Sequence, residues 1–159
     1  MSFGDRAGAW LTVLGEWLDR HGERLGSAVV SVLSGGLLGV SAWLEPSAAG
    51  HGTHEQLGLD PCTFLALTEV PCPMCGATTT FSLMADLRWL EGIANQPFAA
   101  LLFLVTVGSF AVSTSEALVP RGRWTRLSER LQPYELTIIA ALGCFMLVAW
   151  IYKWAIMSL

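Results

Sequence analysis

Between Leu25 and Leu44 the chain runs for twenty positions without an Asp, Glu, Lys or Arg. At a rise of about 1.5 Å per residue, a helix of that length crosses the ~30 Å hydrocarbon core of a bilayer. Two further runs, Pro97 to Ser115 and Leu136 to Tyr152, are equally free of charge. No other feature limits the fold as strongly. Backbone exposed to lipid must satisfy its own hydrogen bonds, and a helix does so within a single segment. The composition agrees, with 53% hydrophobic and only 14% charged residues, against roughly 25% charged in soluble domains. The expected fold is an all-α membrane protein, a single domain over 1–159. Its three transmembrane helices are placed at 25–44, 97–117 and 135–156. Seven tryptophans against two tyrosines suit a chain that needs anchors at the lipid boundary; at the end of the third run Trp150 and Trp154 are placed as such anchors, and Lys153 to snorkel to the headgroups.

The competing reading of the first run is a cleavable leader, because Ser47-Ala48-Ala49 resembles a small-residue cleavage site. The lead-in before Leu25 is longer than an ordinary charged n-region, which favours a retained anchor. In residues 1–24, Trp10, Leu11, Val13, Leu14, Trp17 and Leu18 recur at helical spacing, with Glu16, Asp19, Arg20 and Glu23 on the other side. This pattern predicts an amphipathic helix lying in the membrane interface. The alternative is that these residues form the solvated first turns of the next helix. Within the first span Ser31, Gly35 and Gly39 repeat every four residues and predict a close helix neighbour.

Residues 45–96 are the long stretch outside the spans. Its centre is Pro71-Cys72-Pro73-Met74-Cys75-Gly76. Two cysteines at this spacing, followed by a glycine able to take positive φ, make a turn that aims both sulfurs at one point. Zinc sites and redox dithiols both use it. Upstream lie Cys62 and, in His51-Gly52-Thr53-His54, a histidine pair. His54, Cys62, Cys72 and Cys75 have the inventory of a Cys3His zinc site. The alternative is a disulfide with one spare thiol, and a further one is a redox dithiol with Cys62 as resolving partner. Three thiols cannot all pair with one another, and Cys144 falls inside the third span, where it reads as a small side chain filling a packing gap. Ala77 to Asn95 reads as one short interfacial helix, with Phe81, Met84, Leu87, Leu90 and Ile93 on one face and Asp86-Leu87-Arg88 at its middle. Its N-terminus would stabilise a nearby thiolate. Asn95-Gln96-Pro97 breaks it.

Arginines set the orientation. Residues 1–24 carry Arg6, Arg20 and Arg24, and the loop at 118–134 carries Arg121, Arg123, Arg126 and Arg130. The 45–96 stretch has only Arg88 against six acids. Counting positive charge therefore places the N-terminus and the arginine loop in the cytoplasm and the cysteine region outside. An oxidising compartment favours disulfides over free thiols. The net charge of −4 and the absence of a basic run exclude a nucleic-acid-binding profile.

At these residues the sequence resembles the domain of unknown function 2752 family of small bacterial membrane proteins. The stretch that carries the resemblance runs from about Gly52 to Pro97. It comprises Gly52-Thr53-His54, Leu57-Gly58-Leu59, Pro61-Cys62, Cys72-Pro73-Met74-Cys75-Gly76, Thr78-Thr79, Asp86-Leu87 and Asn95-Gln96-Pro97. The family often has Thr-Arg after the knuckle and closes on Asn-Pro. Here Thr78-Thr79 stands in the first place and Gln96 intervenes in the second. The resemblance implies a cysteine-bearing protein of the bacterial inner membrane and names no activity.

Three functions compete. The first is a non-enzymatic accessory or scaffold subunit, stapled by the metal site or a disulfide, whose partners are the bilayer and either a larger membrane complex or further copies of itself. It accords with the three uncharged runs, 25–44, 97–115 and 136–152, none of which holds a carboxylate, the usual mark of transport or proton relay. The second is a membrane thiol–disulfide oxidoreductase using Cys72 and Cys75. The third is a transporter or channel built by oligomerisation, since three helices alone enclose no pathway.

Overall fold

The computed structural model describes the backbone of residues 3–158 and the side chains of residues 21–158. The described chain is helical throughout, with no strand among those residues. Seven α-helices follow in order: α1 Phe3–Trp43, α2 Thr63–Thr68, α3 Ala77–Ala85, α4 Trp89–Asn95, α5 Pro97–Leu118, α6 Arg123–Leu131 and α7 Glu135–Met157. Two 3₁₀ turns, Thr53–Leu57 and Gln132–Tyr134, complete the chain. Three segments are long and apolar enough to cross a membrane: His21–Trp43, Pro97–Leu118 and Arg123–Met157.

α1 is one helix of 41 residues, uninterrupted where the amphipathic lead-in meets the first span. No proline occurs before Pro46, so nothing removes a helical hydrogen bond until then. At about 1.5 Å per residue it is roughly 60 Å long, twice the thickness of a hydrocarbon core. The faces of residues 1–20, on which the interfacial reading rests, lie outside the described side chains.

α5 runs antiparallel along α1. Ser31 Oγ and Thr114 Oγ1 share a hydrogen bond of 2.7 Å, and Arg24 Nε donates to the carbonyl of Ala117 at 2.9 Å. Between them Gly35 lets the ring of Phe110 approach so closely that a Cβ there would lie 2.8 Å from Phe110 Cε2. Two members of the small-residue stripe, Ser31 and Gly35, therefore meet α5, while Gly39 faces open space. At the cysteine end, Met84, Ala100 and Phe103 form a buried cluster joined by Leu38, Phe81 and Ala85. Phe81 and Phe103 meet edge to face, with ring centroids 5.4 Å apart. α7 lies outermost, and Cys144 is exposed on it, so this thiol fills no gap within the chain.

The expected helix over 77–95 is two helices with a tight corner. α3 ends in a Schellman arrangement, in which Arg88 N–H donates to Leu83 O at 2.9 Å and Leu87 N–H to Met84 O at 3.2 Å. Leu87 takes the left-handed position, φ 62°, that glycine usually fills. The corner turns α4 back onto α3, and Gly92 packs against Met84. It also divides the predicted apolar face. Met84 is buried and Phe81 half-buried, whereas Leu87, Leu90 and Ile93 point outward.

Candidate functional site: a thiol-lined cavity

The knuckle forms as its sequence dictates. Cys75 N–H donates to Cys72 O at 2.8 Å and Ala77 N–H to Met74 O at 3.0 Å. Gly76 then takes φ 82° and starts α3. Only glycine suits this position, for a second reason as well. A Cβ would collide with the carbonyl oxygen of Gly50 and crowd Asn95 Nδ2 and Lys153 Nζ.

Side chains from three helices hold the loop by its backbone. Trp150 Nε1 donates to Pro71 O at 2.7 Å, and Gln96 Nε2 donates to Pro73 O at 3.1 Å. Asn95 Nδ2 donates to Gly76 O at 3.2 Å and to Thr80 Oγ1 at 2.9 Å. Lys153 Nζ donates to Gly50 O at 3.1 Å and to Asn95 Oδ1 at 2.8 Å. Gln96 is fully buried and also caps α5, its Oε1 accepting from Ala99 N–H at 2.8 Å. Further out, Thr53 and Thr79 share a hydroxyl bond of 2.8 Å, and Ser47 N–H donates to Thr53 at 3.0 Å. These bonds satisfy carbonyls that irregular backbone would otherwise bury unpaired.

None of the four principal anchors was assigned to the site from sequence. Asn95 and Gln96 read as helix breakers, Trp150 as a boundary anchor and Lys153 as a side chain reaching for the headgroups. Lys153 instead turns inward and is only 3% exposed. The available signal was the pairing of Gln96 with Pro97, since a polar residue directly before a helix-starting proline occupies the N-cap.

All four residues predicted as ligands line one cavity of about 370 Å³, together with His51 and Met74. They are not equally engaged. Cys62 stands at the start of α2, and its thiol neighbours that of Cys72 in the cavity. Cys75 is buried beneath them, 4% exposed. His54 directs Nε2 to the carbonyl of Asp60 at 3.2 Å. All four cysteines are free thiols. Soft thiolate and imidazole donors are the chemistry zinc prefers. Among the described residues, however, no three His, Cys, Asp or Glu donors converge as a ligand set.

The electrostatics run against the expected thiolate. Burial pushes the Cys72 thiol up from its ordinary value; the backbone of Met74 opposes this and the neighbouring Cys62 thiol adds to it. Burial raises Cys75 further, to about 11, reinforced by Cys72 and opposed by the ammonium of Lys153. Desolvation outweighs both the helix start and the nearby cation. At neutral pH both knuckle cysteines are thiols.

Fold and site together define a small all-helical membrane protein, with a thiol-lined cavity built between its first two spans. Residues 62–110 match the profile of the family described as "Protein of unknown function (DUF2752)", the family that the knuckle resembles. The match takes in Cys62, Cys72, Cys75, the α3–α4 corner, Asn95-Gln96-Pro97 and most of α5; His54 precedes it. No curated protein and no solved structure matches the chain.

Proposed function

We propose that the protein is a non-enzymatic subunit of a membrane complex in the bacterial inner membrane, whose cysteine region is a rigid platform outside the bilayer. The observation that carries this reading is the set of inward side chains: Asn95, Gln96 and Trp150 grip the knuckle's backbone carbonyls, and Lys153 ties Gly50 and Asn95 beside it. Such a site is made to keep a shape. The protonated state of Cys72 and Cys75 supports it, because nucleophilic cysteines need a lowered pKa. The orientation rests on the charges at the two ends. Arg24 and the α6 arginines lie together at one end, and the thiol cavity lies at the other.

The thiols close the one part of the platform that the anchors leave loose. α2 has no buried residue, and Cys62 at its start is where it meets the knuckle. A Cys62–Cys72 disulfide, formed as the two thiols lose two protons and pass two electrons to a disulfide-exchanging oxidant of the oxidising compartment, would tie α2 down. A zinc ion held by His54, Cys62, Cys72 and Cys75 would do the same, supplying a structural staple. The contact between Cys62 and Cys72, with Cys75 in the same cavity, also favours the second reading, a thiol–disulfide oxidoreductase.

One set of measurements on the purified protein separates these readings: zinc content, mass after alkylation with and without reductant, and cellular abundance of the cysteine variants. The platform reading expects Cys72→Ser to lower abundance about as much as Cys62→Ser. His54→Ala is close to silent if the closure is a disulfide and equally damaging if it is zinc. Cysteine variants of normal abundance that lose thiol–disulfide exchange with a model dithiol would overturn the platform in favour of the oxidoreductase.

A further inference from the structure

At the end of the molecule opposite the thiols, we propose that the arginine face of α6 binds the phosphate of an anionic bilayer lipid. α6 follows α5 through Val119–Gly122 and leads through the second 3₁₀ turn into α7, so it lies at the mouth of two spans. Its charges are sorted by face. Arg123, Arg126 and Arg130 line one concavity of about 340 Å³ with Leu127. Glu129 lies on another side, near Glu135, Ile138 and Ile139.

Glu116 pairs with only one of these three arginines, and Glu23, the other carboxylate bonded to α6, is held by Thr125 at 2.7 Å. Glu116 is buried and accepts the backbone N–H groups of Arg121, Gly122 and Arg123 at 2.7, 3.0 and 3.2 Å. Its one ion pair, 3.6 Å long, is with Arg123 Nε. Among the described residues Arg126 donates only to the carbonyl oxygens of Gly122, at 3.1 Å, and Arg121, and no carboxylate there compensates its charge. Arg130 has no hydrogen bond or ion pair among the described residues. Guanidinium groups on one face, three and four residues apart, match phosphate oxygens, to which arginine binds in a fork.

The surroundings select a lipid over a free anion. Leu127 within the concavity is 40% exposed, Leu118 before it 72% and Leu136 beyond it 83%. An acyl chain finds apolar surface there, and inorganic phosphate does not.

The test uses the full chain in a neutral detergent, with phosphatidylglycerol, phosphatidylcholine and inorganic phosphate as separate probes and retained lipid counted by native mass spectrometry. Phosphatidylglycerol is expected to be retained in preference to phosphatidylcholine. Its affinity should fall roughly fivefold for each arginine removed, in Arg130→Gln and then in the Arg126→Gln/Arg130→Gln pair. Arg130 makes no bond among the described residues, so its variant is expected to keep the melting temperature of the parent. Arg88→Gln, at the thiol end, should bind as the parent does. Equal retention of the two lipids, or undiminished phosphatidylglycerol binding by Arg130→Gln, overturns the proposal. Displacement of phosphatidylglycerol by inorganic phosphate overturns the lipid assignment.

Discussion

Replacing Gln96 by leucine should open the thiol cavity without disturbing the spans. The side chain is fully buried, and both of its polar atoms have partners. Losing Oε1 removes the N-cap of α5, which is worth about 1 kcal/mol. Losing Nε2 leaves the half-buried carbonyl of Pro73 without its donor, a further penalty of up to roughly 1–3 kcal/mol. The sum, roughly 2–4 kcal/mol, falls on the contact between the knuckle and the helices beneath it. If Cys75 reacts only when the knuckle lifts, its alkylation follows the population of that open state. About 3 kcal/mol corresponds to roughly a hundredfold faster labelling.

The assay is maleimide labelling of reduced, chelator-treated protein, with Cys75 resolved by peptide mass. Gln96→Glu keeps an acceptor for Ala99 N–H but turns an oxygen towards Pro73 O, so it should fall between parent and leucine. Trp150→Phe keeps the ring and deletes the 2.7 Å bond to Pro71 O, and should act in the same direction. Acceleration of Cys75 by less than about threefold in both Gln96→Leu and Trp150→Phe would refute the claim that these side chains hold the knuckle down.

Gly76→Ala combines a left-handed backbone with a collision against Gly50 O. The conformation alone costs about 1–2 kcal/mol, so a larger drop in melting temperature is expected than in Gln96→Leu. Cys75 makes stability depend on alkaline pH. Its folded value, about 11, lies above the ordinary 9.0, so folding favours the protonated thiol. That contribution is fully present below pH 9 and is lost as pH rises through 11; two pKa units correspond to at most about 3 kcal/mol. Reduced, chelator-treated protein should melt lower over that window, and Cys75→Ala should flatten the decline, as differential scanning fluorimetry would report.

How far the sequence could be read follows from where each decision is made. The spans were legible because lipid imposes a rule on every residue of a run, and charges fall only towards the ends of these three. The knuckle was legible because Gly76 alone can supply the backbone its turn requires. The α3–α4 corner was hidden because Leu87, a residue with no turn preference, occupies the left-handed position there. Lys153 was hidden for a different reason. A lysine at the end of an apolar helix can reach outward to headgroups or inward to protein, and the choice rests on Gly50 and Asn95, both far away in the chain. The expected thiolate failed on magnitude, since a helix terminus contributes only about 0.3–1 kcal/mol and burial at Cys75 exceeds that. These failures share a consequence for the metal. A metal site or a disulfide was the expected staple of the cysteine stretch, yet hydrogen bonds from Asn95, Gln96, Trp150 and Lys153 already hold it at Gly50 and at Pro71–Gly76. What remains without a buried contact is α2, so any closure through Cys62 acts on that one hairpin and on the mouth of the cavity beside it.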